Sequence, residues 1–248
     1  MGNLKRLVTT LCCSLLLWQA PLSASNLDDI TILTEGYPPY NYQGENGELQ
    51  GIAVDLLVEA YKQANVDFDK STIKLQPWPR AYRSVLQGVN IMLFSMTRTR
   101  SREKLFKWAG PISQTRVVLL AKKNSKVVIS TPDDLTQYII GGIRNDIGLL
   151  LVRELVADNG QLLTSPYASS LANMLNLGRI DLWAYEENVA THFLRREGLD
   201  PDEFEVVYTL SEAELYYAFS LDTDQQVVDG FQSVLDQFRL ATKNTNSP

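Results

Sequence analysis

Ser95, Thr97 and Arg102 stand in the run Phe94-Ser95-Met96-Thr97-Arg98-Thr99-Arg100-Ser101-Arg102, with the guanidinium five residues beyond Thr97. Hydroxyls, loop N–H groups and a planar cationic fork suit a small anion such as a carboxylate, because the guanidinium can hold both oxygens at once. On composition alone, Arg98, Arg100, Arg102 and Lys104 read equally well as a solvated basic face. Glu186 and Glu187 follow the apolar run Leu182–Tyr185. They lie where a strand ends and open α/β sheets bind ligands, or else they form an exposed acidic pair at a helix N-terminus. Glu35, Tyr37 and Tyr40 surround Pro38-Pro39, a rigid loop whose aromatics either face a ligand or pack on the core. Trp78 and Arg80 sit at a helix start between Pro77 and the following turn, and Arg144 opens the loop Arg144-Asn145-Asp146-Ile147-Gly148. Each of these has an ordinary structural reading beside the ligand-binding one.

Other chemistry is thinly represented. His192 is the only histidine, and Cys12 and Cys13 are the only cysteines. No Ser-His-Asp or Cys-His system, metal-ligand cluster or Gly-rich phosphate loop is visible, so no catalytic residue, metal or cofactor is assigned. An enzyme would have to work with carboxylates, Arg and Tyr.

Lys5 and Arg6 precede the apolar run Leu7–Trp18, and Ser23-Ala24-Ser25 follows. This order predicts a secretory signal peptide over residues 1–25, cleaved after Ala24 or Ser25, and a soluble periplasmic product without cysteine. The run is too short to cross a bilayer, which takes about 20 apolar residues. The chain carries 23 Lys+Arg against 29 Asp+Glu, and without Lys5 and Arg6 the net charge is −8. Such acidity argues against general nucleic-acid binding.

Hydrophobic patterning supplies the frame. Ile30–Thr34 predicts a first strand, Gly44–Gly51 a hairpin, and the face Val54, Leu57, Val58, Tyr61 a helix. Thr72–Gln76 and Ile91–Phe94 predict strands, with a helix from Pro77 between them and a Gly110-Pro111 turn after the basic loop. Thr115–Lys122 is long enough to cross between two lobes, and Leu215–Ser220 is a candidate return. Ile139–Ile143 predicts a strand before a helix with Leu149, Val152, Leu155 and Val156 on its apolar side. Ala168–Leu177 predicts a helix, Gly178–Ala184 a turn and strand, and the chain from Gln225 a last amphipathic helix.

Taken together, SMTRTRSREKLFKWAGP, Gly51…Asp55-Leu56 and Gly178-Arg179-Ile180-Asp181 resemble motifs of the family 3 periplasmic solute-binding proteins, the polar-amino-acid group, across nearly the whole mature chain. Gly88-Val89-Asn90 departs from the family's Gly-Lys-x-Asp turn, and the loop after Ile143 lacks its usual Thr. The resemblance implies a type II periplasmic binding fold, α/β, with two lobes, each a central sheet flanked by helices, and two hinge crossings. Lobe 1 would hold residues 26–117 and 217–248, and lobe 2 residues 118–216. It further implies Ser95, Thr97 and Arg102 as partners of a ligand carboxylate, and Glu186, five residues beyond Asp181, as partner of its ammonium. Tyr40 and Trp78 would lie against the ligand body, Arg144 would contact it from lobe 2, and Glu35, Tyr37 and Arg80 are further candidates. The implied function is capture of a zwitterionic solute, a polar amino acid, by a monomer that delivers it to a membrane permease. Alternatives within the same fold are a dehydratase-like enzyme acting on a cyclic carboxylic acid and a ligand-sensing partner of a membrane receptor.

Overall fold

The computed structural model describes residue 27, residues 29–156 and residues 159–245; the expected signal peptide, residues 1–25, lies outside them. In chain order the elements are β1 (Thr31–Thr34), β2 (Tyr42–Gln43), β3 (Leu49–Gln50), α1 (Ile52–Gln63), β4 (Lys74–Leu75), α2 (Trp78–Gln87), β5 (Ile91–Thr97) and β6 (Lys107–Lys122). These are followed by β7 (Ile139–Ile143), α3 (Ile147–Val156), β8 (Gln161–Ser165), α4 (Ala168–Asn176), β9 (Leu182–Glu186), α5 (Glu187–Arg196), β10 (Phe204–Phe219) and α6 (Gln225–Thr245). β2 and β3 form a hairpin, and the other strands form one sheet in the order β4-β1-β5-β10-β6-β9-β7-β8.

The two longest strands make this a two-lobe molecule. β6 and β10 each run 16 residues, about 50 Å when extended, longer than one small sheet is deep. They pair antiparallel along nearly their whole length, from Phe204↔Lys122 to Phe219↔Lys107. The lower part of β10 pairs with β5, and the upper part of β6 pairs with β9 through Val117↔Glu186 to Leu120↔Trp183. Chain crossing and sheet continuity are therefore one feature. Lobe 1 stacks β4, β1 and β5 with α1, α2 and α6; lobe 2 stacks β9, β7 and β8 with α3, α4 and α5.

The cores explain why these segments take these forms. β1, β5, β7 and β9 are buried on both faces, the pattern of parallel strands covered by helices on both sides. In lobe 1, Ile32, Leu33, Met92 and Phe94 meet Val54 and Leu57 of α1, and Phe231 of α6 packs edge-on to Tyr217 at 5.1 Å. In lobe 2, Leu119, Ile140 and Leu182 meet Val152 and Val156 of α3. α6 returns to lobe 1, with Val227, Val228, Phe231 and Leu235 buried.

Several expectations need correction. β6 begins at Lys107, so Gly110-Pro111 lies inside a strand and does not end one. Around Pro111 the edge of β6 away from β10 has no strand partner, and an edge tolerates a residue without an N–H. The Gln232 side chain of α6 covers that edge, accepting from Gly110 N at 2.8 Å and donating to Gly110 O at 2.9 Å. β10 likewise starts at Phe204, well before Leu215, because its first half is half-polar and does not stand out as an apolar run. β4 is only Lys74–Leu75, exposed at the sheet edge. β8 escaped the hydrophobic reading because Gln161, Thr164 and Ser165 are polar on an edge strand. Leu155 is 37% exposed and lies beside the buried stripe, not in it.

Candidate functional site

The site is built where β5 of lobe 1 ends opposite β7 and β9 of lobe 2. Ser95 has a φ of 60° inside β5, where the register against β10 slips between Tyr216↔Met96 and Ala218↔Leu93. A non-glycine residue in the left-handed region, held in a bulge, is backbone strain of the kind found at binding sites. Its hydroxyl donates to Asn41 Oδ1, and Asn41 Nδ2 donates to the carbonyl of Glu35 at 2.7 Å. Asn41 is fully buried and ties the end of β5 to the Glu35–Tyr40 loop.

Beyond Thr97 the basic run divides. Arg98, Arg100 and Lys104 are exposed, and Arg98 pairs with Glu103 at 2.6 Å. Arg102 is 1% exposed. A turn held by Thr99, whose carbonyl and hydroxyl both accept from Arg102 N (3.1 and 3.3 Å), directs it inward. Arg102 Nη1 donates to Thr97 O at 3.3 Å, and its guanidinium lies 5.5 Å from the Trp78 ring and 5.2 Å from the Tyr82 ring. Cation–π contact and charge-assisted hydrogen bonds offset part of the cost of burying it.

The lobes meet at Asn145. With a φ of 62°, which Asn tolerates better than most residues, it presents its carbonyl to Arg102 Nη2 at 3.1 Å and Trp78 Nε1 at 3.0 Å. Asp146 follows, 4% exposed, with Oδ2 lacking any hydrogen-bond partner among the described residues. Gly148 brings this loop close to β9, since a Cβ there would stand 2.5 Å from the Ala184 carbonyl.

At the end of β9, Glu186 is fully buried and caps α5, its Oε2 accepting from Val189 N at 2.7 Å. Its Oε1 lies 3.2 Å from both Asn188 Nδ2 and the Tyr40 hydroxyl, which is equally placed to donate to Gln114 O at 3.2 Å. Tyr40 therefore reaches from lobe 1 to the crossing strand and to lobe 2. Tyr37 stacks on Tyr40 at 5.6 Å and meets Tyr185 edge-on at 5.8 Å, and Tyr185 stacks on Trp183 at 5.3 Å. The Tyr185 hydroxyl is buried without a partner among the described residues, as is Arg102 Nε.

Among the described residues, Glu35, Arg102, Asp146 and Glu186 are the only buried Asp, Glu, Lys, Arg or His side chains. Burial pushes the Glu35 carboxyl well up, and the Asp146 charge adds to this while Arg102 opposes it. Asp146 is raised by burial against the pull of Arg102, and Glu186 is raised by burial against its hydrogen bonds from Val189, Tyr40 and Asn188. The Tyr40 phenol is pushed up to about 12 by burial and the Glu186 charge. A cavity of about 300 Å³ opens from Glu35 and Tyr185 between the lobes, lined also by Gln76, Pro77, Tyr167 and Phe193.

The structure brings Glu35, Tyr37, Tyr40, Trp78, Ser95, Thr97, Arg102 and Glu186 together. It leaves Arg144 and Arg80 exposed and outside this group. Arg144 is exposed just past the end of β7 at Ile143, and it is the carbonyl of the next residue, Asn145, that meets Arg102. Asn41, Tyr82, Asn145, Asp146 and Tyr185 were not singled out from sequence. Asp146 reads there as an ordinary residue before a helix, and Tyr185 as one apolar member of a strand; only tertiary placement distinguishes them.

The model of the family described as bacterial extracellular solute-binding proteins, family 3, matches residues 30–242. The chain belongs to that family. The L-cystine-binding protein TcyJ of Escherichia coli strain K12 is 26% identical over 106 residues, covering 42% of this chain and 39% of its own length. The octopine-binding periplasmic protein of Rhizobium meliloti is 29% identical over 120 residues, 48% of this chain and 40% of its own. Each match thus spans about two fifths of the curated relative. Holo ArgBP from T. maritima superposes with a TM-score of 0.71 at 19% identity, covering 87% of this chain and 96% of that one. A histidine kinase sensor domain similar to periplasmic binding proteins gives 0.74 at 18%, covering 86% and 92%. The structural likenesses show the two-lobe fold.

Proposed function

We propose that this solute-binding protein acts in the periplasm, captures a small zwitterionic solute of the amino-acid type between its lobes, and delivers it to a membrane permease. The observation that carries this reading is that opposite charges are buried on opposite lobes, Arg102 on lobe 1 and Glu186 on lobe 2, where Arg102 Nε, Asp146 Oδ2 and the Tyr185 hydroxyl have no partner among the described residues. Arg102, with Thr97 and Ser95, holds the carboxylate. Glu186 holds the ammonium, and Tyr40 and Trp78 bound the ligand body.

A ligand that touches both walls binds the closed arrangement better than the open one, and this difference drives hinge motion about β6 and β10. Residues 26–117 with 217–248 move against 118–216. The closed monomer is then the form a permease recognises. The names of the relatives, cystine-binding and octopine-binding, support a ligand of this chemical kind.

A thermal-shift panel of the common amino acids and several organic acids, on protein unfolded and refolded to remove carried-over ligand, tests the reading. Ligand at about 100 times its Kd adds about 2.7 kcal/mol of stability. A clear rise in Tm with one or a few amino acids, absent with prephenate-like cyclic acids, is the expected result. No rise with any amino acid overturns it.

A further inference from the structure

Resting on the amino-acid reading above, we propose that the cleft selects a ligand of net positive charge, and that Asp146 is the residue that sets this preference. Three buried carboxylates, Glu35, Asp146 and Glu186, face one buried guanidinium, Arg102. A bound zwitterion leaves that imbalance unchanged, whereas one further positive charge reduces it. A buried charge without a counter-charge is strongly disfavoured, so the imbalance discriminates among ligands.

The placement identifies where the extra charge goes. Glu186 already caps α5 and meets Tyr40 and Asn188, which leaves it room for one ammonium. Asp146 stands beside Asn145, whose carbonyl holds Arg102, yet it makes no salt bridge to Arg102 within 4 Å, and Oδ2 has no partner. The Tyr185 hydroxyl is an independent unpartnered group, fully buried at the wall of the cavity that Glu35 also lines. Tyr37 meets Tyr185 edge-on at 5.8 Å, and burial first and the Asp146 charge second raise Glu35, while both phenols feel Glu35 and Asp146, so these groups are neighbours around the cavity that Glu35 and Tyr185 line. A cationic group lying between Glu35 and Asp146 and donating to the Tyr185 hydroxyl oxygen satisfies all of them.

Asp146 also acts against the wrong ligand. Its charge weakens the field of Arg102 toward an incoming carboxylate, and a second ligand carboxylate would lie against like charges. An anionic amino acid is therefore excluded.

The test is calorimetric titration of refolded wild-type protein with lysine, arginine, glutamine and glutamate, repeated with Asp146→Asn. In the wild type, lysine or arginine is expected to bind about a hundredfold more tightly than glutamine, with no detectable glutamate binding. Asp146→Asn is expected to shrink that ratio by about tenfold or more, mainly through weaker binding of the cationic ligand. Glutamine or glutamate binding the wild type as tightly as lysine or arginine overturns the charge preference while leaving the amino-acid reading intact. An unchanged ratio in Asp146→Asn overturns the role of Asp146. No binding by any of the four, together with no response across the wider amino-acid panel, overturns both. The wild-type comparison needs no variant to fold.

Discussion

Replacing Arg102 with methionine removes the charge and its donors while keeping an unbranched stem between Trp78 and Tyr82. The change deletes hydrogen bonds to Thr97 O and Asn145 O, at 3.3 and 3.1 Å, and cation–π contacts with two rings. Hydrogen bonds to charged groups are worth about 1.5–3 kcal/mol each, and these are long ones, at the low end. Asn145 O keeps its bond from Trp78 Nε1, and methionine sulfur restores some contact with the rings. Asp146 and Glu35 lose their counter-charge but can take up protons, which limits the damage. The sum is a stability loss of about 2–4 kcal/mol, read as a fall in the urea midpoint at unchanged slope. Binding suffers more, because a ligand carboxylate would be buried with no cation. That costs about 3–5 kcal/mol, or two to three and a half powers of ten in Kd by calorimetry. A Kd within tenfold of wild type refutes the role assigned to Arg102, whatever happens to stability.

Other substitutions separate capping from binding. Glu186→Gln keeps an acceptor for Val189 N, so stability should change by no more than about 1 kcal/mol in urea. Affinity for an amino acid should fall about 10–100-fold, since the bond to an ammonium loses its charge assistance; equal affinity would exclude Glu186 as the ammonium partner. Asn41→Ala strands both the Ser95 hydroxyl and the Glu35 carbonyl and should cost about 2–4 kcal/mol in urea. Glu35, Asp146 and Glu186 are all raised in the fold, so the folded state binds their protons more tightly than the unfolded chain. Their stabilising effect is full below about pH 4 and is lost as pH rises through the raised folded values. Glu103 and Asp134 are held low by Arg98 and by the Thr131 and Ser130 N–H groups, and they act oppositely, only as pH falls through their depressed values. The Tm of ligand-free protein should therefore fall as pH rises above the ordinary carboxylate range of about 4, and a rise there would contradict the burial of these charges.

The parts of the fold that could be read in advance are those where periodicity and burial agree. α1 and α6 declare themselves by apolar stripes, and β1, β5 and β7 by short apolar runs. The long crossing strands were legible only at their apolar halves, because an edge strand can carry Pro111 and half-polar residues without a local signal. Arg102 was legible through its motif, although nothing in Arg98-Thr99-Arg100-Ser101-Arg102 by itself says which cation turns inward. The Thr99 turn decides that. Asp146 and Tyr185 were opaque for a different reason: their meaning lies in what the other lobe places opposite them. Arg144 illustrates the converse, a charged residue at the right distance along the chain but on the wrong side of a turn.

The central claim is that ligand capture and lobe closure are one event, and small-angle X-ray scattering measures it most directly. Refolded, ligand-free protein would be compared with protein saturated by the amino acid that gives the largest thermal shift, around a radius of gyration of about 17 Å for a compact chain of this length. A smaller radius with ligand, and no such change for Arg102→Met at the same ligand concentration, is the predicted result. Saturable binding with an unchanged radius of gyration would contradict the account, because the ligand would then not be joining the walls that Arg102 and Glu186 provide.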